Sequence, residues 1–120
     1  MTRIMAAAAP AFVGDKLVGW IANIAHHSDI GGKVPGSTSG DADSLFQEGI
    51  RIPVIRIRQN GKLIPSVMDL LLDNTRVPQE REGDLTAQMS ANLIGVQRIQ
   101  EAYARYQDDL IECMKELVGY

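Results

Sequence analysis

The only two histidines among 120 residues are adjacent, in the run Ile24-Ala25-His26-His27-Ser28-Asp29-Ile30-Gly31-Gly32. Imidazole nitrogens and carboxylate oxygens are common donors to divalent metals and common proton carriers in hydrolytic sites. In an extended segment neighbouring side chains point to opposite faces, so at most one of His26 and His27 ligates a given ion unless the strand breaks there. Asp29, two residues beyond His27, is placed to share its side, either as an oxygen ligand or as the carboxylate that orients an imidazole. A metal site needs three or four ligands and this stretch supplies one or two. The competing reading is a pair of polar residues that ends a strand and caps a turn.

The other chemistry-bearing residues carry less. Gly31-Gly32-Lys33 and Gly36-Ser37-Thr38-Ser39-Gly40 have the glycines of a phosphate cradle. Neither has the spacing of a phosphate-binding loop, and no helical pattern follows. Asp41, Asp43 and Glu48 lack the alternation and closing glutamate of a calcium loop and read as a solvated acidic stretch. Arg51, Arg56 and Arg58 read as a solvent-facing or salt-bridged strand face before they read as an anion clamp. Cys113 lies beside Leu110, Met114 and Leu117 in a helical pattern, which predicts packing and no nucleophilic role.

These residues have to be held by elements the chain itself specifies. Ala11-Phe12-Val13 and the apolar run from Leu17 to Ala25 flank Gly14-Asp15-Lys16, which predicts a β-hairpin. The second strand is apolar almost without alternation, which predicts burial on both faces. Residues 28–49 form a long loop rich in Gly, Ser and Asp, of the kind that either lines a site or is disordered. Ile50, Ile52, Val54, Ile55 and Ile57 interleave with arginines ahead of Asn60-Gly61, predicting a second hairpin that closes at Leu63-Ile64. A helix follows from Pro65-Ser66 to about Arg76, with Ser66 and Asp69 as a capping box. A long helix over residues 78–106 carries the stripe Leu85, Met89, Leu93, Val96, Ile99 and Tyr103, with Gly95 as its weak link. A shorter amphipathic helix begins at Asp108-Asp109. The fold class is therefore α+β: N-terminal hairpins with a long Gly-rich loop, strand and loop over residues 1–64, then two or three helices over 65–120, in one domain.

A chain of 120 residues buries roughly two-thirds of its unfolded surface, enough for a core but not for a roomy internal pocket. With 12 basic and 15 acidic residues and a net charge of -3, it has no surface suited to nucleic acid or anionic membrane. A single cysteine excludes a disulfide scaffold and a zinc knuckle and fits a reducing cytoplasm. No apolar stretch is long enough to span a membrane, and the short run after Arg3 is closed by Pro10, so it reads as strand or leader.

The run from Trp20 to Ser37 resembles the hydantoinase B/oxoprolinase family. So do Phe46-Gln47-Glu48-Gly49-Ile50-Arg51-Ile52-Pro53, the stretch from Asn74 to Arg81, Gly83-Asp84-Leu85-Thr86-Ala87-Gln88 and Tyr103-Ala104-Arg105-Tyr106. Members of that family are several-fold longer multidomain chains, so the likeness covers nearly all of this chain and about a fifth of a member. The resemblance implies a subunit that opens cyclic amides (hydantoin, 5-oxoproline, lactam) or carboxylates ketones as acetone carboxylase does. It implies a divalent metal of the Zn or Mn type, held by a His-x-Pro-Asp motif and by a histidine of the Ala-His-His-x-Asp segment. Here that segment gives His26, with His27 as the substitute and Asp29 as a further donor, and Gly31 and Gly32 in the substrate-site loop. No His-x-Pro-Asp occurs in the sequence; the chain begins where that motif would just have ended. The resemblance further implies that ATP binds a hydantoinase A-like partner subunit, so the implied assembly is a hetero-oligomer. The resulting expectation is a partial subunit that holds metal weakly or not at all, is inactive alone, and associates through apolar surface. The alternative is a non-catalytic interaction module built on the helix 78–106.

Overall fold

The computed structural model describes residues 4–119. Residues 1–3, which bear on the leader and on the missing His-x-Pro-Asp, and residue 120 lie outside that range. β1 (Ile4–Val13) and β2 (Lys16–His26) form a two-stranded sheet. They are joined at Gly14-Asp15, where Gly14 takes the positive φ of +58° that a tight hairpin turn requires. With no third strand beside it among the described residues, β2 is not buried on both faces as its apolar run predicted. Exposed and half-buried residues alternate along it, and Trp20 and Ile24 remain 62% and 69% exposed.

The loop after β2 contains two single 3-10 turns, Pro35–Ser37 and Leu45–Gln47. The strand expected over residues 50–57 does not form. Pro53 removes one amide donor from that segment, no strand lies beside it among the described residues, and Ile52, Val54 and Ile55 are exposed. What survives of the second hairpin is its turn. β3 (Arg58–Gln59) and β4 (Lys62–Leu63) pair antiparallel, with Arg58 opposite Leu63, around Asn60 and Gly61 at φ +50° and +75°.

α1 (Pro65–Asp73) begins on Pro65, whose fixed φ suits a first helical residue, with Ile64 as the N-cap and no side-chain cap. The Ser66–Asp69 box is therefore absent, and the helix stops before the expected Arg76. Asn74 closes it as C-cap, donating from Nδ2 to the Leu70 carbonyl at 2.8 Å. α2 (Pro78–Tyr106) has the expected bounds, and its inward face keeps the expected stripe at Leu85, Met89, Val96, Ile99 and Tyr103 but not at Leu93. Arg81, Leu85, Gln88, Met89 and Asn92 are buried, while Leu93 is 43% exposed. α3 (Asp108–Val118) follows. Cys113 is exposed on it, so the packing role expected for this thiol does not hold.

The chain divides into two compact units. The first, Met1–Met5 with Ala25–Thr86, places its apolar core at Ile30, Met68, Leu71 and Leu85. The second, Ala6–Ile24 with Ala87–Tyr120, buries Ala11, Val18 and Met89. Within the second unit, Asn23 of β2 donates from Nδ2 to the Gln88 carbonyl (2.8 Å) and to Asn92 Oδ1 (2.9 Å). It accepts from Gln88 Nε2 at 2.8 Å, so these polar residues on the buried face of α2 are mutually satisfied. None of the described helices is long and apolar enough to cross a membrane.

Candidate functional site

The chemistry-bearing residues gather in the first unit, and Asp29 organises them. Its carboxylate is almost fully buried and accepts from the Gly31 amide (2.9 Å), the Gly36 amide (2.8 Å), the Arg76 amide (3.3 Å) and Arg76 Nη1 (3.0 Å). Thr75 Oγ1 donates to its backbone carbonyl at 3.0 Å. Burial pushes the Asp29 carboxyl up. The Gly31 and Gly36 amides, then Arg76, outweigh that effect and bring it down to about 2. The carboxylate thus clasps both ends of the turn between residues 29 and 36 to the segment after α1. Arg76 extends the clasp by donating to the carbonyls of Val34 (3.1 Å) and Gly32 (2.6 Å).

Gly31 and Gly32 sit at φ +84° and +85°, in the left-handed region. A Cβ on Gly31 would lie 2.8 Å from the Asn74 carbonyl oxygen, and one on Gly32 would lie 2.5 Å from that of Gln47. Only glycine fits either position. The Gly31 and Gly36 amides, which a phosphate cradle would present, are occupied by Asp29. A polar recess of 220 Å³ opens beside this clasp, lined by Gly31, Asp73, Asn74, Thr75 and Arg76.

The two histidines part company at the end of β2. His26 is exposed. His27 is buried, with its Nδ1 3.5 Å from Asp84 Oδ2 on the first turns of α2. The opposition of neighbouring side chains thus puts one imidazole in solvent and the other in the interior. One helical turn before Asp84, Arg81 is buried, and burial depresses its guanidinium while Asp84 and Asp29 oppose that effect.

The donor set does not complete a metal site: among the described residues no three His, Cys, Asp or Glu side chains come together to hold an ion. Asp29 is engaged by Gly31, Gly36, Thr75 and Arg76, and His27 faces Asp84. His26 is left as an accessible donor. Of the arginines considered from sequence, Arg51 stacks over the Phe46 ring at 5.4 Å and Arg58 donates to the Gly61 carbonyl at 2.6 Å.

Thr75, Arg76, Arg81 and Asp84 were not singled out as site residues by sequence reasoning. For Arg76 no local signal exists, because its partner is 47 positions away. For Arg81 and Asp84 there was one. Arg81 stands four residues before Leu85, which places a charge on the same helical face as the apolar stripe of α2, and Asp84 stands three residues after Arg81, on the neighbouring turn.

Comparison with known proteins gives a consistent picture. The family model described as hydantoinase B/oxoprolinase matches residues 5–120. The beta subunit of the caprolactamase of Pseudomonas jessenii is 38% identical over 109 residues, covering 90% of this chain and 19% of its own. The B subunit of a putative D-/L-hydantoinase from a Pseudomonas species is 37% identical over 113 residues, covering 92% of this chain and 19% of its own. The 5-oxoprolinase of Dictyostelium discoideum is 30% identical over 102 residues, covering 85% and 8%. Among solved structures, that of the ATP-dependent caprolactamase from Pseudomonas jessenii superposes with a TM-score of 0.89 at 35% identity, over 96% of this chain and 20% of that one. The chain spans about a fifth of the length of the caprolactamase and hydantoinase relatives it matches.

Proposed function

Because this chain belongs to the hydantoinase B/oxoprolinase family, we propose that it forms one wall of the active site of a cytoplasmic, ATP-dependent enzyme that opens cyclic amides. In this reading His26 gives a single imidazole to a divalent metal of the Zn or Mn type whose other ligands lie on polypeptide beyond these 120 residues. ATP binds a hydantoinase A-like partner subunit. The observation that carries the reading is the split pair: an exposed His26 beside a buried His27 that faces Asp84. An imidazole can take an external group only if it is accessible, and it presents a fixed direction only if its backbone is held. Burial of His27 supplies that hold at the adjacent residue, and the Asp29 clasp supplies it two residues further on.

The Gly-rich turn then serves as a rigid floor for the substrate. Its shape is set by backbone packing at Gly31 and Gly32, and the Gly31 and Gly36 amides are already bonded within the chain. Nothing in that arrangement is suited to holding a nucleotide phosphate, which agrees with placing ATP on the partner. The relatives act on different rings, as the names caprolactamase, hydantoinase and 5-oxoprolinase state. The choice among rings then rests with residues outside this chain.

The test is an ATP-dependent ring-opening assay on caprolactam, hydantoin and 5-oxoproline. The chain alone is expected to give no turnover. Exchanged for the corresponding fifth of the caprolactamase beta subunit, it is expected to support turnover that His26→Ala lowers by at least about 10–100-fold. Turnover by the chain alone, or a chimera indifferent to His26→Ala, would refute the proposal.

A further inference from the structure

Arg81 has 1% of its surface in contact with solvent, and its Nε, Nη1 and Nη2 have no hydrogen-bond partner among the described residues. A guanidinium carries five N–H donors on a planar fork and stays charged, so burying it without acceptors is strongly unfavourable. Neither nearby carboxylate is hydrogen-bonded to it. Asp29 is taken up by Gly31, Gly36, Thr75 and Arg76, and Asp84 faces His27. Their fields reach Arg81, but neither forms an ion pair with it among the described residues.

A buried guanidinium that feels two carboxylates and bonds neither is matched by one more acceptor of planar, two-oxygen geometry, because that geometry engages a guanidinium edge with two parallel bonds. We propose that Arg81 is a carboxylate-binding residue whose acceptor comes from outside these 120 residues. It is carried either by a side chain of further polypeptide or by a free carboxylate such as the product of amide ring opening. The inference is independent of metal binding at His26. Because the fork is covered, its cover must open for the acceptor to enter.

The test uses the 120-residue chain, its Arg81→Met variant and acetate, with chloride balancing ionic strength. Methionine replaces the charge with an apolar side chain of similar length. If the acceptor is a free carboxylate, acetate raises the unfolding midpoint of the wild-type chain saturably and leaves Arg81→Met unmoved. If the acceptor belongs to further polypeptide, acetate does nothing and Arg81→Met unfolds several degrees above wild type, because an unpaired buried charge has been removed. The proposal is overturned if acetate does nothing and Arg81→Met unfolds at or below the wild-type midpoint, or if acetate stabilises both chains equally. Should Arg81→Met not fold, the Arg81 Hε resonance of the wild-type chain decides: a saturable shift with acetate supports the proposal and a silent resonance overturns it.

Discussion

Asp29 is two residues from His27 in sequence, yet its work is done against Arg76, 47 residues on. As a carboxyl held down to about 2, against an ordinary value of 3.8, it is ionised in the folded chain at pH values where the unfolded chain protonates it. Its stabilisation is therefore present above about pH 4 and is lost as pH falls toward about 2, by roughly 2–3 kcal/mol. Asp29→Asn keeps the size but turns an amide NH2 toward donors that need an acceptor. Urea unfolding at neutral pH is expected to register a loss of about 2–3 kcal/mol, and the variant is expected to lose the acid-dependent step between about pH 4 and 2. A loss under about 0.5 kcal/mol, with the acid step intact, would mean that the clasp is not what holds the loop. Sequence alone identified His26, His27 and Asp29 as the residues to watch, and the alternation of strand side chains already required the two imidazoles to part. It offered two roles for Asp29, ligand or orienting carboxylate. The clasp was hidden because the Gly31, Gly36 and Arg76 donors are backbone amides, which have no sequence signature.

Elements whose pattern is local were legible, and those that need a neighbour were not. The 29 residues of α2 repeat their apolar positions at helical spacing, and the helix keeps the bounds read from them. Residues 50–57 carry a strand-like alternation, but a strand is stabilised by the strand beside it, and none is present among the described residues. The polar residues on the buried face of α2 have the same origin. Asn23, Gln88 and Asn92 satisfy one another only once β2 lies against the helix. Gly95 read as a flaw in that helix, and the structure gives it a purpose. A Cβ there would meet Ile21 Cγ2 at 2.7 Å, so glycine permits the close approach of strand and helix. Gly95→Ala gains about 1 kcal/mol of helix propensity but is expected to cost about 1–3 kcal/mol net through that overlap. Combining it with Ile21→Ala removes the overlap. The double variant is thus expected to be at least about 1 kcal/mol more stable than the sum of the single losses, by chemical denaturation. Additivity within about 0.5 kcal/mol would deny the contact.

At the scale of the whole molecule the sheet is the telling element. Two strands of 10 and 11 residues with Phe12, Trp20 and Ile24 exposed make a sheet that is marginal by itself and apolar where it meets water. The same chain superposes on a fifth of a caprolactamase chain. Among the described residues the donors come to one accessible imidazole and no set of three ligands. The central claim is that this chain presents His26 to a metal and keeps His27 for its own interior. It is tested most directly by following both imidazoles by nitrogen-15 NMR while Zn²⁺ is titrated into the 120-residue chain at neutral pH. The account predicts that the His26 ring responds, that His27 does not, and that dialysis reverses the response, because one donor binds weakly. A response led by His27, silence from both rings, or one equivalent of zinc retained through dialysis would contradict it.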